Sequence, residues 1–190
     1  MFAVSSLLDS AHDAKVREIW RELERHFCVH SPFQSPIAHI SYQVFSLAPD
    51  AGLEERLRLF AARWKPFHVC TAGLGFFPGT RPVLHIPIVR SPQLSEFHEQ
   101  LADTLLDEGL NIGEHYLEDR WIPHITLAQA DQHDVDFPEM IRFLCDRRFY
   151  WELTIDNLAL ISGTMHRPGL EFAIPLAEPP DRVSGMGRRG

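Results

Sequence analysis

The sequence is poor in cysteine and has no long hydrophobic run. Its three cysteines, Cys28, Cys70 and Cys145, are scattered and form no Cys-x-x-Cys pair. An odd, scattered set argues against a disulfide framework or a structural zinc site, and it fits a protein of the reducing cytoplasm. No apolar run approaches the ~20 residues that a membrane-spanning helix needs. The N-terminal segment lacks a basic region and reaches Asp9 too soon for a signal peptide, so we expect a first strand there.

Positive charge is also in short supply. Against 26 Asp and Glu the 190-residue chain has 18 Lys and Arg, which gives a formal net charge of −8. Long duplex nucleic acid is therefore an unsuitable partner, because its binding depends on neutralising many phosphates. A small nucleotide or one RNA end needs only local positive charge, for which Arg81, Arg120 and Arg167 are candidates. With no apolar stripe left over for a membrane or a second copy, we expect a monomer.

One short pattern that the sequence does contain occurs twice. His39 and Ser41 flank an isoleucine in "AHISYQVF", and His124 and Thr126 flank another in "PHITLAQA". Because side chains alternate along a strand, each histidine points to the same face as the hydroxyl two residues later. Two imidazoles and two hydroxyls are suited to acid–base chemistry on a phosphate.

The surroundings of the two motifs are also similar, which predicts an internal repeat. The motif histidines are 85 residues apart (124 − 39), and each motif is followed by an amphipathic helix and then a pair of strands. Ile86-Pro87 in the first strand pair aligns with Ile174-Pro175 in the second. We therefore expect two similar lobes, each contributing one His-x-hydroxyl strand. The alternative is that unrelated strand–helix–hairpin units share this order by default.

Periodicity places helices between the strands. One helix follows the cap candidates Asp9 and Ser10, a second has its apolar stripe over 53–64, a third runs from Pro92 to a stop at Gly109, and a fourth covers 137–144. Strands are expected near 2–8, 38–46, 67–77, 82–89, 122–129, 150–161 and 169–175. This order predicts an α+β or mixed α/β domain with antiparallel-rich sheets and helices outside. Residues 1–176 should form this domain, and 177–190, rich in Pro, Gly and charge, a disordered tail.

The motif residues match the needs of cyclic phosphodiester cleavage. A nucleophile must lose a proton as it attacks phosphorus, and the leaving oxygen must gain one. Two imidazoles can fill both roles near neutral pH, since their unperturbed pKa is about 6.5. Hydroxyl groups one strand step away can stabilise the charge that develops on the phosphate oxygens. This chemistry requires neither a metal nor another cofactor.

The segments "AHISYQV", "WIPHITLA" and "GLGFFPGTRPVLHIPIV" followed by "SPQLSEFHEQL" resemble the 2H phosphoesterase superfamily, in its 2'-5' RNA ligase-like or cyclic phosphodiesterase branch. The resemblance covers about 1–176. It implies two pseudo-symmetric lobes around a central cleft, metal-independent catalysis by His39 and His124, and phosphate binding by Ser41 and Thr126. One departure concerns affinity and substrate range: many relatives carry a basic residue after the second motif, where this chain has Gln129.

Further residues near the motifs are candidates for substrate binding. Phe76, Phe77 or Trp121 could stack on a nucleobase, and Arg81 and Arg120 could contact phosphate. The other nine histidines, His85 and His98 among them, are interpreted as structural or surface residues.

Three functions then compete. The favoured one is an enzyme that opens 2',3'-cyclic phosphates and performs the reverse 2'-5' joining. The second is a non-catalytic nucleotide or RNA-end binder. The third, a metallohydrolase, lacks an Asp, Glu or third His at ligand spacing beside either motif.

Overall fold

The computed structural model describes residues 2–29, 37–46, 50–106, 110, 113–129, 135–163 and 169–177. Within these ranges the helices are α1 (Ser10–Phe27), α2 (Leu53–Ala61), α3 (Pro92–Leu106) and α4 (Phe137–Leu144). The strands are β1 (Phe2–Leu7), β2 (His39–Phe45), β3 (Phe67–Cys70), β4 (Gly75–Phe77), β5 (Val83–Pro87), β6 (His124–Gln129), β7 (Glu152–Ile155), β8 (Asn157–Ser162) and β9 (Gly169–Pro175). The α+β fold with antiparallel sheets that the sequence predicts is confirmed.

The expected elements agree with the structure except at two strands. The strand predicted over 67–77 is divided into β3 and β4 around Gly73, whose positive φ of 84° breaks the extended run. The strand predicted over 150–161 is divided into β7 and β8 at Asp156. The Gly109 stop and, apart from Ala177, the predicted tail lie outside the described residues.

Local chemistry explains where the helices begin. The Asp9 carboxylate accepts hydrogen bonds from the backbone N–H groups of Ala11 and His12, which caps α1. The Ser91 hydroxyl accepts one from the N–H of Leu94 at the start of α3, where Pro92 has no N–H to satisfy. The apolar faces predicted from the spacing are buried; for α1 the buried residues are Val16, Ile19, Trp20 and Leu23.

The strand order shows two copies of one unit that exchange a strand. The first copy is β1–α1–β2–α2–β3–β4, and the second is β5–α3–β6–α4–β7–β8. One sheet has the order β2-β1-β8-β9 and another β6-β5-β4, so the last strand of each copy pairs with the first strand of the other. The equivalent strands β3 and β7 pair with each other. We call the β2-β1-β8-β9 sheet lobe A and the β6-β5-β4 sheet lobe B.

The sheet order corrects one detail of the predicted repeat. Ile86-Pro87 ends β5, which is equivalent to β1, whereas Ile174-Pro175 ends β9, an additional edge strand of lobe A. The two prolines therefore end their strands as expected, but they are not equivalent positions. Similar hairpin sequences produced the misalignment, because sequence does not reveal which strands exchange.

Exchange places the motif strands at the boundary between the lobes. Strands β2 and β6 are the edge strands of their sheets, and they contact each other. Helix α1 contacts β6, and helix α3 contacts β2, so each motif strand is supported by a helix from the other copy. This arrangement holds the two histidine motifs side by side.

Candidate active site

Each motif histidine is the first residue of its strand and is held in the same way. His39 Nδ1 is 2.8 Å from the carbonyl oxygen of Ile37, and His124 Nδ1 is 2.7 Å from that of Ile122. A carbonyl oxygen can only accept, so Nδ1 carries the proton in both neutral rings. The lone pair then lies on Nε2, the nitrogen available for proton transfer.

Burial lowers the pKa of both motif histidines, and charge lowers that of His39 further. Desolvation lowers the pKa of His39 and of His124 below the usual 6.5, and the carbonyl bonds of Ile37 and Ile122 oppose the shift. A charge on His124 lowers the pKa of His39 further. The two imidazoles therefore interact electrostatically across the boundary between the lobes, and a proton on one disfavours a proton on the other.

Alternation gives each motif a polar face and a buried face, as the sequence predicts. Ile40 and Ile125 are 1% and 0% exposed, whereas Ser41 and Thr126 are part-exposed beside their histidines. In lobe A the Ser41 hydroxyl lies 3.5 Å from the hydroxyl of Ser5, its partner on β1. The hydroxyls and imidazoles thus share one surface at the lobe boundary.

Two tryptophans link the lobes directly behind the motif hydroxyls. The indole N–H of Trp121 donates to the carbonyl oxygen of Ser41 at 3.0 Å, and that of Trp20 donates to the carbonyl oxygen of Thr126 at 3.1 Å. Both carbonyls belong to strands at the edges of the described sheets, where no further strand pairs with them. The two bonds therefore satisfy the outer edge of each motif strand and fix the strands relative to each other.

The structure brings to the site a third histidine that sequence reasoning did not select. His85 on β5 is paired with Thr126 on β6, is 3% exposed, and has its ring centroid 5.0 Å from that of His124. Phe77 stacks on His85 at 4.0 Å and meets the edge of His124 at 5.1 Å. The sequence interprets His85 as a structural or surface residue, and its place beside His124 follows from the β5–β6 register.

The candidate substrate-binding residues occupy different environments. Phe76 lies on the other face of β4 from Phe77 and packs against Phe137, away from the histidines. Trp121 is 3% exposed and stacks on His98, so its ring packs in the core beneath β2 and is not exposed to stack on a base. Arg81 is exposed in the β4–β5 turn.

The remaining candidates are Arg120, Gln129 and Arg167. Arg120 is paired with the carboxylate of Glu114, so part of its charge is neutralised. Gln129 ends β6 opposite Val83. Arg167 lies outside the described residues.

Among the residues that the structure describes, no group of three or more His, Cys, Asp or Glu is arranged to hold a metal ion. None of the described helices is long and apolar enough to cross a membrane.

Two equivalent His-x-hydroxyl strands contact each other at the boundary between two lobes that exchange a strand. This arrangement defines a two-histidine phosphoesterase fold. The family model of the 2'-5' RNA ligase superfamily matches residues 9–166, and the chain belongs to that family. The family predicted from the paired motifs is thereby confirmed. No curated protein sequence matches the chain significantly.

Solved structures share the fold at low sequence identity. E. coli LigT complexed with 3'-AMP matches with a TM-score of 0.64 and 18% identity, over 92% of this chain and 97% of that one. The protein TT0787 of Thermus thermophilus matches with a TM-score of 0.62 and 18% identity, over 93% and 98%. A crystal structure described as a phosphoesterase gives 0.62 and 18%, over 93% and 97%.

Proposed function

We propose that this protein is a phosphoesterase that opens the 2',3'-cyclic phosphate of a nucleotide or an RNA end by two-histidine acid–base catalysis. The observation that carries the proposal is that both motif histidines are held in the same orientation by the same kind of hydrogen bond. Each Nδ1 donates to a carbonyl two residues earlier, which leaves an Nε2 lone pair on each side of the lobe boundary. Two oriented imidazoles can remove one proton and deliver another in the same displacement.

We assign His39 as the base and His124 as the acid in the hydrolytic direction. A charge on His124 lowers the pKa of His39, so the two imidazoles do not hold a proton at the same time. We place the single proton on His124, whose ring is contacted by Phe77 and His85. His39 Nε2 accepts a proton from water as the water oxygen forms a bond to phosphorus. The bond from phosphorus to one ribose oxygen breaks, and that oxygen takes the proton from His124. The product is a phosphomonoester. When the 5'-hydroxyl of a second RNA replaces water, the same roles give 2'-5' joining, and the histidines exchange roles when that linkage is cleaved back to the cyclic phosphate.

Ser41 and Thr126 act as donors to the non-bridging phosphate oxygens in this scheme. Their hydroxyls share the strand faces of the two histidines, where they can reach the same phosphate. Preorganised donors of this kind stabilise the charge that develops in the transition state. Metal ions have no part in any of these steps.

Charge and likeness both support a small phosphate ester as substrate. The net charge of −8 disfavours long duplex nucleic acid, whereas one phosphate needs only a local site. LigT of E. coli, which shares the fold, has been crystallised with 3'-AMP. The scattered cysteines support action in a reducing cytoplasm.

The proposal is tested by incubating the purified protein with a panel of 2',3'-cyclic nucleotides and short cyclic-phosphate RNAs in EDTA. Turnover should be retained with the chelator and fall by about 100- to 10,000-fold in His39→Ala and in His124→Ala. His68→Ala is the matched control, because His68 is exposed on β3 away from the motifs. Tight binding of every substrate without conversion would instead identify a nucleotide or RNA-end binding protein, and activity lost with EDTA would identify a metallohydrolase.

The pH dependence of kcat/KM gives a second test. The active free enzyme carries one proton on the histidine pair, so kcat/KM should follow a bell-shaped profile. Because burial lowers both pKa values below 6.5, the maximum should lie below pH 6.5. A maximum well above pH 7 would contradict the assigned pair.

A further inference from the structure

We infer that His85 is a positioning residue for the acid–base site, in which it holds the ring of His124 in place as part of a three-ring cluster. The inference rests on the proposed function for its catalytic consequence, although the ring geometry can be tested without turnover. His85 lies outside both His-x-hydroxyl motifs, and its sequence context indicates only a structural or surface residue.

Three rings contact one another pairwise in this cluster, which comprises Phe77, His85 and His124. Phe77 and His85 are stacked, with centroids 4.0 Å apart and an interplanar angle of 23°. His124 meets Phe77 at 5.1 Å and 83°, and His85 at 5.0 Å and 60°. The Nδ1 bond to Ile122 fixes one end of the His124 ring, and the two neighbouring rings restrict its rotation about that bond.

His85 is itself tightly held. Its Nδ1 lies 3.3 Å from the carbonyl oxygen of Val83, and the side chain is buried between β4 and β6. Gly75, its partner on β4, has no side chain, and a Cβ there would lie 2.3 Å from His85 Nε2. The His85 ring therefore occupies space that only a glycine opposite leaves available.

An uncharged ring is suited to this position beside an acid. Burial, and then the charge of His124, lower the pKa of His85 to about 4, so His85 is neutral across the range in which His124 exchanges its proton. A neutral neighbour restrains His124 without repelling the proton that it must carry.

The equivalent position in lobe A shows that the fold itself does not require a ring there. Ser5 is paired with Ser41 as His85 is paired with Thr126, and the strand register shifts at the same point, between Val4 and Ser5 and between Leu84 and His85. A serine is accommodated there, so the histidine is a specific feature of the site in lobe B.

The first experiment compares His85→Ala, which removes the ring, with His85→Phe, which keeps a flat ring without nitrogen atoms. Turnover of a 2',3'-cyclic nucleotide is measured, and the tautomer and pKa of His124 are read from ¹⁵N-labelled imidazole by NMR. We expect His85→Ala to lower kcat by at least about tenfold with little change in KM, since misplacement of a reacting group by about 1 Å can cost about 100-fold. His85→Phe should restore most of the activity, and the control His68→Phe should change neither readout.

A second experiment displaces His85 without removing it. Gly75→Ala forces the His85 ring away, because the added Cβ would otherwise lie against Nε2. It should reproduce the loss of kcat and the altered His124 resonances of His85→Ala. In the His85→Ala background the same change meets no ring, so it should have no further effect.

The outcomes separate this inference from the proposed function. His124 resonances and kcat that are unchanged in folded His85→Ala and Gly75→Ala proteins would overturn it. Wild-type protein without turnover would contradict the proposed function, while the NMR comparison would still decide whether His85 positions His124. A variant that loses its fold is identified by circular dichroism, and His85→Phe, which fills the same space, then provides the comparison with wild type.

Discussion

The two halves of the site share the geometry of their histidine motifs but differ in the residues that lie behind the motifs. In lobe A the motif hydroxyl of Ser41 is backed by the small hydroxyl of Ser5. In lobe B Thr126 is paired with the imidazole of His85, and the rings of His85 and Phe77 enclose His124. Both histidines nevertheless make the same Nδ1 bond, and both motif carbonyls accept an indole N–H.

This difference shows that the duplicated fold sets the orientation of both motif imidazoles, whereas the residues around each imidazole distinguish the proposed acid from the proposed base. The shared strand and carbonyl geometry produces two equivalent imidazoles, which alone would be interchangeable. A charge on His124 lowers the pKa of the other two imidazoles, and in lobe B two neighbouring rings contact the motif histidine, so we assign the proton to His124.

The largest effect should come from removing one histidine while changing the leaving group. His39→Ala and His124→Ala should both lose about 100- to 10,000-fold on a cyclic phosphate. In a nucleoside 3'-p-nitrophenyl phosphate the ribose 2'-hydroxyl attacks phosphorus, which is the reverse direction, so His124 is the base and His39 the acid. Because p-nitrophenolate leaves without a proton, His39→Ala should recover most of its loss and His124→Ala should not. Release of p-nitrophenolate under single-turnover conditions measures the difference. Recovery of His124→Ala alone would reverse the assignment of acid and base, and equal recovery would show that neither lobe has a fixed role.

The motif hydroxyls should differ by a smaller factor. Thr126→Val removes the donor of lobe B and should lower kcat by about 100-fold, the usual loss for one oxyanion donor. Ser41→Ala should cost only about tenfold, because removal of the Ser41 hydroxyl would uncover the buried Ser5 hydroxyl 3.5 Å behind it, which we expect to donate in its place. Steady-state kinetics on the same cyclic nucleotide compare the two variants. The Ser5→Ala/Ser41→Ala double variant should match Thr126→Val, and equal losses in the two single variants would contradict the role given to Ser5.

The tryptophans allow the same comparison to be made for stability. Trp20→Phe removes the N–H donor to Thr126 and should lower the free energy of unfolding by about 1–2 kcal/mol. Trp121→Phe should cost about 2–4 kcal/mol, because Trp121 also stacks on His98 with centroids 3.9 Å apart. Urea denaturation gives both values. A larger loss in Trp20→Phe than in Trp121→Phe would contradict the weight given to the stacking contact.

The helices, the strands and the polar faces of the motif strands could be predicted from the sequence, because they depend on local signals. Alternation around Ile40 and Ile125 predicts which side of each strand is polar, and the spacing of Val16, Ile19 and Leu23 predicts the buried face of α1. The family follows from the paired motifs. Local patterns of this kind require no knowledge of which strands pair.

Features that depend on pairing could not be predicted. His85 looks like any strand histidine until the β5–β6 register sets it opposite Thr126, and the exchange of β4 and β8 leaves no trace in composition. Phe76 and Phe77 are adjacent and equally aromatic, yet only one faces the histidines. The face of so short a strand is decided by tertiary packing, to which periodicity gives no access.

The smallest effect is expected in stability at acid pH, to which one buried histidine behind each motif strand contributes. His85 stands behind β6, and His98, stacked on Trp121, has its Nε2 3.2 Å from the Tyr42 carbonyl oxygen of β2. Burial lowers the pKa of each to about 4 from 6.5, so the unfolded chain binds more protons than the folded one between these values. The stability that these neutral histidines contribute is therefore complete above pH 6.5 and is lost as the pH falls toward 4.

His85→Phe and His98→Phe should each reduce the slope of the free energy of unfolding against pH by up to about 1.4 kcal/mol per pH unit, measured by urea denaturation from pH 4 to 7. A slope changed by His98→Phe but not by His85→Phe would mean that His85 can take up a proton while folded, which would remove the neutral ring that His124 needs beside it.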